Sequence, residues 1–361
     1  MSSIIRLAQS PGQLDLSLSK MVDLPGQNRP YPAIYSTKII GQPDNDLIFD
    51  IPGVGNVTNE SCGVIKFVDK CPNDSHHRLI FYSCHNYECP VCYKTAAHQA
   101  GVRVDDRLVG ISKELRNYNV RTGYPVQVVM SPPPGYMSPT DSVSVIRKRV
   151  YKYALDIGMI GGTVVFHPYR IPDDIKALLK VFNTKDTPGG FWDLIHNDIL
   201  ELGDWKKYVY WSPHFHIVGY FPSIKIKSDL FYRSTGWTYK NIGVTNSIVA
   251  TVSYLLTHHA YISGGRGYTY FGKFSYTSAK IIKAWTELEP VICPNCQSVL
   301  QRWTGVNIGH DRGGYRTYDY SEAKCLGDTY ALVEINIYQL TKWTIKTLDT
   351  YFGEPEVSKN V

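Results

Sequence analysis

The stretch Trp211-Ser212-Pro213-His214-Phe215-His216-Ile217-Val218-Gly219-Tyr220-Phe221 decides the reading of this chain, because two histidines alternate in it with apolar residues. Successive side chains of a β-strand point to opposite faces. His214 and His216 therefore share one face, while Phe215 and Ile217 enter a core on the other. Two neutral imidazoles about 6 to 7 Å apart on a rigid strand can hold one divalent cation when a neighbouring strand supplies a third donor. An H-x-H pair taken alone fits a plain half-exposed strand equally well, so the surrounding sequence has to decide.

Working outward, Tyr124 to Met130 alternates as a strand and stops at Ser131 and three prolines. Ser138 or Thr140 can cap a helix running to about Gly158, with Val143, Ile146, Val150 and Leu155 inward. Gly162 to Tyr169 reads as a second strand with His167 near its end, and residues 171–205 as an insertion with two short helical patterns. A short strand at Trp237 to Val244 leads to a helix that Asn246 can cap. On that helix the four- and three-residue spacing of Tyr254, His258 and Tyr261 puts them on one face.

The order strand, helix, strand, strand, helix predicts an α+β fold, a ferredoxin-like (RRM-like) antiparallel sheet with flanking helices. His167 would then end the strand that pairs with 211–221 and serve as the third metal ligand. A strand-end histidine bonded to backbone is the competing reading of that residue.

The cysteines give a second, independent signal. Cys84, Cys89 and Cys92 stand at C-x4-C-x2-C, and a C-P-V-C turn directs two thiolates at one ion. Zinc is expected there, with Cys71 as first choice for the fourth ligand and Cys62, His76, His77 and His85 behind it. Cys293 and Cys296 form another C-x2-C half. Cys325, His310 or a leftover residue such as Cys62 could complete it. Directly after Cys92, apolar residues from Ala97 to Leu115 recur at helical steps, with Arg103, Arg107, Lys113 and Arg116 on the opposite, solvated face.

These signals divide the chain into an irregular arm (1–60), a zinc knuckle with its helix (61–120), a catalytic domain (121–282) and a tail with the second knuckle (283–361). The formal charge, 38 − 32 = +6, suits a polyanionic partner. The 27 tyrosines point the same way, since exposed bases stack on aromatic rings set among cations. Arg266, Tyr268, Tyr270 and Lys273, on a basic aromatic strand from Tyr268 to Thr277, are the first candidates for that contact. No apolar run approaches the ~20 residues needed to cross a bilayer and no signal peptide opens the chain, so a cytoplasmic protein with no membrane partner is expected. Neither a Walker A pattern nor G-x-G-x-x-G occurs, which excludes the usual nucleotide-hydrolysing engines.

A cation held by imidazoles polarises a phosphoryl oxygen, and a nearby tyrosine oxygen can attack the phosphorus. A phenol with a pKa near ~10 is a poor nucleophile at neutral pH unless the metal or a base such as His258 eases loss of its proton.

At this point the motifs carry a resemblance. Pro213 to Gly219 (PHFHIVG) resembles the His-hydrophobic-His motif of the HUH endonucleases. Val252 to Tyr261 (VSYLLTHHAY) resembles the tyrosine motif of single-tyrosine rolling-circle replication initiators of archaeal plasmids and viruses. The C-x4-C-P-x-C cluster, the segment His167 to Arg170 and the later C-P-x-C pair are similar as well, so the resemblance spans roughly residues 60 to 300. It implies Tyr254 as nucleophile, Val126 to Ser131 in the place of the first family motif with Ser131 as a DNA contact, and Mn²⁺ or Mg²⁺ at the histidines. It further implies nicking and rejoining of single-stranded origin DNA through a 5′-phosphotyrosine, a 3′-hydroxyl primer, and a host helicase and polymerase as partners. The sequence departs from the pattern where lysine often follows the tyrosine, having Thr257, His258 and His259, and where Met130 and Ser131 replace a Thr-rich motif. A single-strand transposase or relaxase with the same site, a metal-dependent hydrolase using water, and a non-catalytic zinc-stabilised DNA-binding regulator are the alternatives.

Overall fold

The computed structural model describes residues 49–55, 59–182, 192, 205–206, 208–261, 267–311 and 315–345, with the backbone alone at 178–182, 283–287 and 332–335. Most of the expected N-terminal arm, much of the 171–205 insertion, and Arg266 lie outside the described residues. The chain is α+β, built on antiparallel sheets.

The first described elements are β1 (Ile65–Lys70), β2 (His77–Phe81) and the 25-residue helix α1 (Tyr93–Asn117). Next come β3 (Tyr124–Ser131), α2 (Val143–Asp156), β4 (Gly161–Arg170) and α3 (Asp173–Phe182). They are followed by β5 (Tyr210–Phe221), α4 (Ser228–Thr235), β6 (Thr238–Val244), α5 (Ile248–Leu256) and β7 (Tyr268–Gly272). Strands β3 to β7 make one five-stranded sheet in the order β6-β3-β5-β4-β7, antiparallel throughout.

The alternation read from the sequence sets the two faces of this sheet. Val126, Val128, Met130, Val164, Phe166, Phe215 and Ile217 pack with α2 and with Phe231 of α4. Val165, Val218 and Tyr220 face the other way, against α1 and α5. Each such side chain taken out of water contributes roughly 1.5–3 kcal/mol. Phe49 and Ile51 belong to the first of these cores. The Phe49 ring stacks on Trp211 at 6.0 Å and the Tyr169 hydroxyl donates to the Phe49 carbonyl at 2.7 Å, so this end of the expected loose arm is packed into the fold.

Several expectations shift in detail. Helix α2 starts after Ser142, because the Ser138 amide donates to Asp141 Oδ2 and makes a turn of the segment expected to be its cap. Leu155 is on its exposed side. Ser247, not Asn246, caps α5 by accepting from the Ala250 amide at 3.1 Å. The helix stops at Leu256, where Thr257 turns its amide and hydroxyl to the Tyr254 carbonyl. Tyr261 has left it and bridges instead to Asp50. Arg107 of α1 is no surface cation. It is 2% exposed, donates to the carbonyls of Phe274, Ser275 and Ala279, and lies over the rings of Tyr270 and Tyr276.

The remaining strands are β8 (Ala279–Pro290), β9 (Gln301–Thr304), β10 (Asn307–His310), β11 (Arg316–Asp319), β12 (Lys324–Asp328) and β13 (Tyr330–Leu340). Strands β8 and β13 pair, and β10 pairs with β11. A four-stranded sheet in the order β12-β9-β1-β2 joins the two cysteine-bearing parts of the sequence. At its centre Arg302 makes a two-pronged ion pair with Asp69, Nε to Oδ1 at 2.8 Å and Nη2 to Oδ2 at 3.1 Å.

Candidate metal centres and the tyrosine beside them

Register places the three histidines. His167 of β4 is the Cα partner of His214 on β5, and the strand shifts register between His167 and Tyr169. His214 and His216 share the face of β5 turned to α1 and α5, as the alternation requires. One ring nitrogen from each of His167, His214 and His216 falls within 4.8 Å of the others, a grouping that could hold a metal ion.

The other nitrogens show which atoms are left to bind. His167 Nε2 donates to the Leu255 carbonyl at 3.0 Å and His214 Nδ1 to the Ser212 carbonyl at 2.8 Å. A carbonyl can only accept, so His167 Nδ1 and His214 Nε2 carry the free lone pairs. His216 Nδ1 lies 3.0 Å from Gln127 Nε2 on β3. A half-turn of that amide presents its oxygen to the ring and frees His216 Nε2 in the same way. The backbone contact foreseen as the competing reading of His167 is therefore made, and it coexists with membership of the cluster.

Burial keeps these rings neutral. It drives His167 and His214 well below the usual histidine range, helped by the neighbouring imidazole of His216, and brings His216 to about 3 with help from Arg170. Among the described residues no carboxylate belongs to the group. Arg170, at the end of β4, donates through Nη2 to Ser131 Oγ at 3.2 Å. A divalent ion here would thus sit among neutral donors beside a guanidinium, a surplus of positive charge that favours an anionic ligand.

Tyr254 is on the last turn of α5 and 47% exposed. Its ring meets that of His258 edge-on, 4.8 Å between centroids, and His258 lies 4.4 Å from His167 and stacks on Trp192 at 5.2 Å. The helix ends before His258, yet the four-residue spacing still brings the two side chains together. Leu255, next to the tyrosine, is the residue whose carbonyl accepts the hydrogen bond from His167 Nε2.

The cysteines assemble differently from expectation in one respect. Cys62 joins Cys84, Cys89 and Cys92, whereas Cys71 joins Cys293 and Cys296. This reverses the assignment expected from spacing, because β1 carries the chain from one cluster to the other between them. Both groups could hold a zinc ion. Loss of solvent and the thiols of Cys92 and Cys84 push Cys62 up to about 12, so four thiolates would share this place only around a cation. Cys325 on β12 pairs with Trp303 on β9 and belongs to neither group.

The aromatic strand expected to reach Thr277 ends at Gly272, and of its rings Tyr276, beyond that end, is exposed while those on the strand are not. Tyr270 is 8% exposed and packs on α1, where burial raises its phenol, and Tyr268 is partly buried against the same core. Lys273 lies 5.9 Å from the Trp343 ring. Strand β7 is the sheet edge next to β4, and its alternate residues are needed to cover α1. Sequence reasoning missed Gln127 and Leu255. Gln127 could have been found as a lone polar residue in the apolar run of β3, one face-mate from the strand end. A backbone carbonyl has no sequence signal.

No family model matches the chain, and no curated protein or solved structure matches it. Among the described residues no helix is long and apolar enough to cross a membrane.

Proposed function

We propose that this chain is a metal-dependent DNA strand transferase of the HUH endonuclease type, a single-tyrosine rolling-circle replication initiator. The observation that carries this reading is the convergence of His167, His214 and His216 on one point, with Tyr254 and His258 ring to ring at its side. The order and pairing of β3, β4, β5 and β6 with α2 and α5 fit a ferredoxin-like core in which the paired histidines occupy an inner strand.

The three imidazoles would hold Mn²⁺ or Mg²⁺, which supplies charge neutralisation at a non-bridging phosphoryl oxygen. The surplus positive charge, together with Arg170, suits a phosphodiester. In the transfer the Tyr254 oxygen bonds to phosphorus and the bond from phosphorus to the 3′ oxygen breaks. The phenolic proton passes to His258, and the leaving 3′ oxygen takes a proton to become a hydroxyl. One phosphodiester becomes another, so no ATP is consumed and the reverse step rejoins the ends. The 3′ hydroxyl would prime synthesis, with helicase and polymerase coming from the host.

The test is to incubate the protein and Mn²⁺ with labelled single strands covering its own replicon and to look for a denaturant-resistant protein–DNA band. The band is expected in wild type and in Tyr261→Phe, and absent from Tyr254→Phe and His216→Ala. A band that survives Tyr254→Phe would move the nucleophile elsewhere. Binding without adduct or cleavage on every strand would leave a zinc-stabilised DNA-binding protein, and cleavage without an adduct a hydrolase.

A further inference from the structure

The second cysteine cluster has three thiols where a closed zinc site takes four ligands. Cys71 and Cys293 are fully buried, and Cys71 Sγ lies 3.4 Å from Cys296 Sγ. Cys325, the cysteine the sequence offered as a fourth, is paired into β12. A carboxylate stands beside the open corner. Asp74 Oδ2 lies 4.0 Å from Cys293 Sγ, outside the 4.8 Å grouping of the three thiols. In a tetrahedron with Zn–S about 2.3 Å and Zn–O about 2.0–2.2 Å, the sulfur–oxygen edge is about 3.6 Å, so the separation from Cys293 nearly matches such an edge, and the carboxylate has to close on the other two thiols when the ion binds.

The carboxylate is also held there. Asn295, inside the C-P-N-C turn, donates Nδ2 to Asp74 Oδ2 at 2.7 Å, and the Ser75 amide donates to Oδ1 at 2.6 Å. Ligating carboxylates are commonly fixed by such outer donors. The turn is shaped for ligation too: the Gln297 amide closes back on the Cys293 carbonyl at 2.9 Å, with Gln297 itself at φ 62°.

The geometry points to Asp74 as the fourth ligand of a Cys3Asp zinc site formed by Cys71, Cys293 and Cys296. The site closes the chain on itself, since Asp74 and Cys293 are 219 residues apart in sequence. It stands where β1 and β9 end their pairing, with Lys70 opposite Gln301. The ion would clamp that end of the small sheet from both sides. Three thiolates and one carboxylate around a tetrahedron select zinc over magnesium, manganese or calcium.

Metal analysis of the full chain purified without chelator should return two zinc ions in wild type. In chelator competition Asp74→Ala should hold one of them more than tenfold more weakly, while His76→Ala, which removes another donor offered by the same loop, should match wild type. Cobalt substitution gives a readout that does not depend on stability. The sulfur-to-cobalt charge-transfer band should correspond to seven thiolates in wild type and rise by one thiolate's worth in Asp74→Cys. Equal zinc retention in wild type and Asp74→Ala, loss in His76→Ala instead, a single zinc in wild type, or no added thiolate band in Asp74→Cys would each overturn the assignment.

Discussion

His167 donates its Nε2 proton to the carbonyl of Leu255 at 3.0 Å, and Leu255 directly follows Tyr254. One hydrogen bond thus fixes the tautomer of a metal-site histidine and the position of the tyrosine helix. Binding of Mn²⁺ to His167 should therefore slow amide exchange along α5. His167→Ala should abolish that protection, weaken Mn²⁺ by more than tenfold, and leave the zinc content unchanged, as read by hydrogen exchange and metal analysis.

Gln127 is the outer partner of His216. Loss of such a partner typically costs 10–100-fold in metal affinity or activity, roughly. Gln127→Leu should weaken Mn²⁺ by about tenfold, and Gln127→Glu, which still accepts from Nδ1, should keep affinity at or above wild type. Equal affinities in titration calorimetry for all three proteins would remove Gln127 from the site.

Acid should destabilise the fold through its buried histidines. His259 is 1% exposed, its Nδ1 donates to the Leu256 carbonyl, and burial lowers it to about 4. Its unfolded form takes up a proton near pH 6.5 and the native form does not until about pH 4, so the unfolded state binds more protons in that window. Stability is fully present above pH 6.5 and falls with pH below it, by up to about 3 kcal/mol for this residue alone. The urea midpoint should drop between pH 7 and 5, and His259→Gln should make the drop shallower.

Helices α1 and α5 touch through Gly101. A Cβ there would lie 2.3 Å from Ser253 Oγ and 2.8 Å from the Val249 carbonyl. Gly101→Ala should cost about 1–3 kcal/mol in urea denaturation by overpacking and should disturb Tyr254, one residue from Ser253. Adding Ser253→Gly should restore only part, because the Val249 backbone remains.

Arg107 gives the largest expected stability loss. Arg107→Met takes the guanidinium donor from the carbonyls of Phe274, Ser275 and Ala279, of which Ser275 keeps the amides of Ser278 and Ala279. A loss of about 3 kcal/mol is expected in the same assay, with Arg107→Lys intermediate, since lysine cannot reach three acceptors in one plane.

What the sequence made legible follows from how local each signal is. The faces of β5 rest on a two-residue period, so His214, His216, Phe215 and Ile217 were placed correctly by alternation alone. The helical period of Ala97 to Leu115 likewise located α1. Arg107 reads as solvated because the acceptors of a charged residue are invisible in the sequence, and here they are the carbonyls of Phe274, Ser275 and the first residue of β8, far along the chain. Cys62 and Cys71 were exchanged because ligand sharing depends on β1 crossing between clusters, and β1 is defined only by its pairing with β2 and β9. Tyr270 reads as a stacking platform in composition and as core in position on an edge strand.

The ion pair of Asp69 with Arg302 spans 233 positions of sequence. During synthesis β1 therefore emerges long before β9, its neighbour in the small sheet, and must wait for the whole five-stranded sheet to be made. Cys62, Cys84, Cys89 and Cys92 can gather early on the nascent chain, while Cys71 meets no other thiol of its own group until Cys293 has been made. Assembly of the small sheet is thus a closing step, which reports that everything between its strands has folded.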